Sequence, residues 1–144
     1  MKRHILMFVC CATLLGVSGC GRGVETHPIG ANGVLGKWEN TAGAQVILTA
    51  DHRFDGEHLD RALPYDGCPV TIKRGEWQFF APDGGIDRTA TSGSEIDLDG
   101  SGETDLVCSI LAEVSLDRGG YSLCFVQDPD QTCPDDELLR KVRE

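Results

Sequence analysis

The chain has 144 residues, 23 acidic and 13 basic side chains, and a formal net charge of -10. That length accommodates one domain of ordinary size, and 40% apolar content is normal for a globular protein and excludes a multi-span membrane protein. The acidic balance disfavours phosphate-backbone binding, which needs clustered Lys and Arg, so no nucleic-acid partner is expected. Eighteen glycines and six prolines with only 6% aromatics predict short elements and many turns, and seven cysteines ask for an oxidising compartment or a metal site.

Lys2 and Arg3 precede an apolar run, Ile5 to Leu15. At about eleven residues it is too short to span a bilayer, which takes about 20, and it matches a secretory h-region. Val17-Ser18-Gly19-Cys20 follows. A small pair directly before cysteine, with an aliphatic residue ahead of it, resembles the bacterial lipobox. The resemblance implies that residues 1–19 are a lipoprotein signal peptide and that the Cys20 thiol takes a diacylglycerol. It further implies that the new amino terminus is acylated, palmitate being the expected chain. Two or three acyl chains hold a protein durably where one is marginal. The expected location is therefore the extracytoplasmic face of the cell membrane, or the outer membrane in a Gram-negative host. Loss of residues 1–19 removes Lys2 and Arg3 and no acid, leaving 11 basic against 23 acidic groups and a net charge of -12. Such a chain is expected to be repelled by anionic lipid and held at the membrane by its own acyl chains.

Residues 20–33, from Cys20 to Gly33, are rich in Gly and lack a hydrophobic period, as a flexible tether does. From Val34 onward the period is two, which predicts strands. The first runs over 34–39, the second over 44–49, and a turn at 50–53 leads into a third around Phe54. Residues 70–79 form one strand whose apolar phase switches from Val70 and Ile72 to Trp77 and Phe79, so a bulge or bend is expected at Gly75. A weaker strand covers 94–98. The clearest is 106–116, where Leu106, Cys108, Ile110, Ala112, Val114 and Leu116 alternate with mostly polar residues. Asp117-Arg118-Gly119-Gly120 is a hairpin signal that sets Tyr121, Leu123 and Phe125 opposite Leu116, Val114 and Ala112. The tail, 134–143, has acids first and bases last, as a short helix would; a strand is preferred because a seven-stranded meander needs its open edge covered.

Seven or eight short strands without intervening helices predict an all-β antiparallel meander closing into a small barrel over residues 34–144. Gly36-Lys37-Trp38 on the first strand is similar to the Gly-x-Trp signature of lipocalin-like (calycin) barrels, and Gly75-Glu76-Trp77 echoes it. The resemblance implies an up-and-down barrel of about eight strands whose floor Trp38 closes, with Arg140 or Arg143 from the last strand packed over it. The layout also resembles small actinobacterial lipoproteins of unassigned activity. It is similar as well to bacterial lipocalin-like protease inhibitors, whose inhibitory segment has no clear counterpart here. The expected core is Trp38, Phe54, Trp77, Phe79, Leu106, Ile110, Val114, Leu123 and Phe125.

Once the signal peptide is gone and Cys20 is lipidated, Cys68, Cys108, Cys124 and Cys133 remain, an even number in an exported domain. Cys68 shares the phase of Val70 and Ile72, and Cys108 that of Ile110, so both point inward. Cys124 points outward, and with Cys133 it flanks the turn at 127–130. Cys68–Cys108 and Cys124–Cys133 are the expected disulfides. Zinc is disfavoured because no Cys-x-x-Cys pair occurs.

The acidic run from Asp97 to Asp105 offers the strongest candidate cation site. Asp97, Asp99, Ser101 and Asp105 have the spacing of the first ligands of a calcium loop, but its closing acid position is Cys108. A solvated acidic turn between strands is the preferred reading, so no cofactor is expected apart from weak calcium. His52, Asp55, Glu57 and His58 read as a polar surface loop. No Gly-x-Ser-x-Gly elbow, helix-capped Gly-rich loop or isolated carboxylate pair points to catalysis. The expectation is a membrane-anchored, monomeric, non-enzymatic module that binds a small apolar ligand or serves a structural role. The alternatives are an inhibitor or partner of an exported enzyme, a protruding loop 60–69 favouring that role, and behind it an envelope hydrolase.

Overall fold

A computed structural model describes residues 25–62, 72–81, 83–101, 107–127 and 131–143, with no side-chain placement for Ser101 and Val107. The signal peptide, Cys20, Cys68, Asp105 and Leu106 therefore lie outside the described residues.

Eight strands build the fold: β1 (Gly36–Glu39), β2 (Gln45–Leu48), β3 (Arg53–Glu57), β4 (Arg74–Phe80), β5 (Glu95–Ser101), β6 (Val107–Asp117), β7 (Gly120–Val126) and β8 (Leu139–Lys141). Each pairs antiparallel with its neighbours in sequence, and β8 returns to β1, so the eight strands close into a barrel. This is the up-and-down barrel expected from the period-two pattern. The tail is a strand because the position between β7 and β1 would otherwise leave two ladders unpaired.

The β6–β7 hairpin has the expected register, with Tyr121, Leu123 and Phe125 opposite Leu116, Val114 and Ala112. The phase switch near Gly75 is also present. Ile72 is buried, Lys73 and Arg74 are both exposed, and Trp77 and Phe79 then point inward. The slip thus falls across Lys73 and Arg74, just ahead of Gly75. A Cβ on Gly75 would lie 2.0 Å from the Asp99 carbonyl oxygen and 2.6 Å from Phe54 Cε1. Gly75 and its cross-strand partner Gly100 make the hollow that the Phe54 ring fills.

Strict alternation divides the connections between two ends. The 49–52 turn, the 81–94 connection and the 117–120 hairpin lie at one end, where β1 also begins and β8 finishes. β1, β3, β5 and β7 finish at the other end, where the 40–44 turn and residues 58–62 lie. A short 3-10 turn, Leu59–Arg61, lies at this distal end and buries Leu59.

The segment read as tether joins the barrel from Thr26 onward. Thr26 bridges Ser115, the His27 amide donates to the Val114 carbonyl, and Ile29–Gly30 pairs with Ser92–Gly93. A single helical turn, Ala31–Val34, then crosses to β1, with Ile29 and Val34 buried in the core. Gly-rich composition hid this docking, because two isolated apolar residues set no period.

Candidate functional site

The barrel interior is filled by side chains. Trp38, Trp77, Phe54, Phe79 and Phe125 are fully buried together with Leu48, Ile96, Leu98, Ile110, Leu123 and Leu139. Every expected core residue within the described segments is among the buried ones. An eight-stranded barrel has room inside for little more than its own side chains or one small ligand, and here the side chains occupy it.

The two tryptophans close the same end. Trp38 Nε1 donates to the Val34 carbonyl at 2.8 Å, and Trp77 Nε1 to the Thr49 carbonyl at 2.9 Å. Gly36 has φ 113°, a conformation strained for any residue with a side chain, which accounts for glycine two places before Trp38. His52 stacks on Trp77 with ring centroids 4.5 Å apart, and its Nδ1 lies 3.1 Å from the Trp77 carbonyl oxygen.

The cation over Trp38 is Lys141, which corrects the expectation of Arg140 or Arg143. Lys141 is the Cα partner of Trp38 in the β8–β1 ladder, so the two side chains share the inner face. Its ammonium lies 5.7 Å from the indole centroid and donates to the Gly33 carbonyl. Burial draws the Lys141 pKa below the usual lysine value. Arg140, one residue away, takes the outer face and binds Asp117 with both guanidinium ends, at 2.8 and 2.7 Å. That pairing holds the Asp117 carboxyl below its ordinary value and raises Arg140. Arg143 stands exposed at the rim.

Cys124 points outward as expected and is bonded to Cys133, with a Cα–Cα distance of 5.7 Å. Cys108 belongs to the core and is disulfide-bonded; Cys68, its expected partner, lies outside the described residues.

Where it is described, the acidic run is an extended strand and not a turn: Asp97, Asp99 and Ser101 belong to β5, and Asp105 lies outside the described residues. Asp97 is 1% exposed; it accepts from the Ser109 hydroxyl and lies 3.4 Å from Gln78 Nε2. It is a structural acceptor on the outer face of the sheet, satisfied by β4 and β6. Asp99, opposite Ser109, is exposed. Among the described residues no three His, Cys, Asp or Glu side chains converge as metal ligands. On the same outer face Glu113 is buried opposite Glu95 and Cys124. Burial pushes its pKa up, and the Glu95 carboxylate pushes in the same direction.

Two larger clefts open on the outside, one at each end. The first, about 580 Å³, lies where β7 and β1 start and β8 ends, between Leu35–Lys37, Gly119–Tyr121 and Lys141–Arg143. The second, about 630 Å³, is walled by Asp55–His58, Asp60 and Ile72–Arg74 at the distal end. His58 opens the 3-10 turn here with φ 51°, and His52 belongs to the opposite end, so the two histidines share no site.

No family model, curated protein or solved structure matches this chain. Its reading therefore rests on its own residues. The basic wall of the first cleft escaped sequence reasoning because Lys37 lies about a hundred residues from Lys141 and Arg143 and meets them only when β8 closes on β1. The one available signal was the alternation around Gly-x-Trp, which places Lys37 beside the barrel end.

Proposed function

We propose that the chain is a lipid-anchored, extracytoplasmic barrel that works as a binding module through its outer surface. The filled interior carries this reading. A carrier of apolar ligands needs an enclosed space, whereas here Trp38, Phe54, Trp77, Phe79 and Phe125 occupy the centre. Catalysis is not part of the reading; it invokes no nucleophile and no acid–base pair.

The topology supports an orientation as well. Thr26 pairs antiparallel with Ser115, so the described chain enters the barrel from the side of the 117–120 hairpin. An anchor at Cys20 would put the membrane on the side of the Trp38 end and turn the second cleft outward. That cleft, walled by Asp55–His58, Asp60 and Ile72–Arg74, lies beside the 3-10 turn, and binding surfaces concentrate on loops held by a rigid scaffold. An exported protein partner fits such a surface better than a small apolar ligand does.

Cell fractionation tests the anchor. The wild-type chain is expected with the membranes and the Cys20→Ala chain in the soluble extracytoplasmic extract. A Cys20→Ala chain that remained with the membranes would defeat the lipid-anchor reading.

A further inference from the structure

We infer that the cleft at the Trp38 end is a docking site for the phosphate group of anionic membrane lipids. The inference rests on the lipid-anchor reading for its orientation and on the described side chains for its chemistry. The cleft wall contributes three cations, Lys37, Lys141 and Arg143, together with Tyr121 and no carboxylate. The β8–β1 ladder makes this cluster. Trp38 faces Lys141, the Val142 amide donates to the Lys37 carbonyl, and Arg143 follows at the rim. Arg118, at the tip of the adjacent hairpin, is exposed. Neither Arg118 nor Arg143 has an ion-pair partner among the described residues.

The lining of the cleft is basic although the whole chain is acidic. Glu39 offsets Lys37 at 2.9 Å, and Asp117 is bound by Arg140. The other acids of this end, Asp51, Asp83 and Asp87 in the 49–52 and 81–94 connections and Glu25 ahead of Thr26, form no part of the cleft wall. Glu95, Asp97, Asp99 and Glu113 lie on the outer face of β5 and β6. Screening limits each charge to about 8 Å at physiological salt, so a surface feels the end it meets and not the net charge.

Distance brings the cleft to the membrane. From a lipidated Cys20 to Thr26 the chain reaches at most about 20 Å, and Thr26 is already paired two residues from the hairpin. The basic cleft therefore belongs to the membrane-proximal end. The headgroup docks there and fixes the barrel upright, so the anchor and the cleft act as two contacts on one surface.

The test uses the exported Cys20→Ala chain, which keeps the whole barrel and lacks the lipid. It is sedimented with vesicles of phosphatidylcholine alone and with vesicles of phosphatidylcholine and phosphatidylglycerol in equal parts. Binding is expected only to the second, abolished in high salt, where the screening length falls to about 3 Å. Lys37→Gln and Arg143→Gln should each weaken it about fivefold. Equal binding to both vesicles, or binding indifferent to both substitutions, would overturn the proposal. So would inorganic phosphate raising the unfolding temperature of a chain that ignores the vesicles, because the cleft would then take a soluble anion. Failure of the wild-type chain to fractionate with membranes would defeat the anchor and leave the vesicle result standing.

Discussion

Gly75→Ala probes the barrel at the point where three strands come closest. The new methyl would lie 2.0 Å from the Asp99 carbonyl oxygen, 2.6 Å from Phe54 Cε1 and 2.7 Å from Gly100 Cα. Two of these are backbone atoms of β5, which is held on both sides by the β4 and β6 ladders. The third belongs to a ring that is 1% exposed and has no empty space to swing into. Extra methylenes in a packed core cost about 1–3 kcal/mol, and a backbone clash belongs at the upper end, so a loss of about 3 kcal/mol is expected. For a domain of this size that lowers Tm by roughly 10–20 °C. Urea unfolding of the exported chain, followed by tryptophan fluorescence, should show a lower midpoint with an unchanged slope. Gly30→Ala is the control. No atom lies within 4 Å of a Cβ there, so its effect should stay within about 0.5 kcal/mol. A Gly75→Ala chain as stable as the wild type would refute the close packing of β3, β4 and β5 around Phe54.

Two further expectations concern the outer face. Replacing Cys124 and Cys133 by Ser opens a loop with a sequence separation of 9 and should cost about 2.5 kcal/mol on a chain-entropy basis, read as a fall in urea midpoint. Burial raises the Glu113 pKa above its ordinary 4.5, so the folded chain keeps that proton where the unfolded chain has lost it. Its contribution to stability is unfavourable once pH has risen through that window and absent below it. Glu113→Gln should therefore raise Tm at neutral pH and leave it unchanged in acid; a lower Tm at neutral pH would show that the carboxylate has a stabilising partner.

The barrel was legible because most of its strands are half-buried and alternate cleanly, above all β6 and β7, whose register follows from the Asp117–Gly120 turn alone. The phase switch before Gly75 was legible for the same reason. Parity also separates Arg140 from Lys141, yet the arginine of the lipocalin-like pattern drew attention from the lysine that is the true cross-strand partner of Trp38. The acidic run looked like a loop because four acids from Asp97 to Asp105 suggest water. Asp97 nevertheless finds Ser109 and Gln78 on flanking strands, and those partners are invisible to a local reading. The docking of Thr26–Val34 was hidden likewise, since it depends on the 81–94 connection and β6 rather than on its own period.

Native mass spectrometry of the exported Cys20→Ala chain, purified from a close relative of its host, tests the central claim most directly. A barrel filled by its own side chains should fly at the mass of the bare polypeptide, less the hydrogens lost to its disulfides. A reproducible added mass of fatty-acid or small-metabolite size, retained through purification, would contradict it and make the chain a ligand carrier.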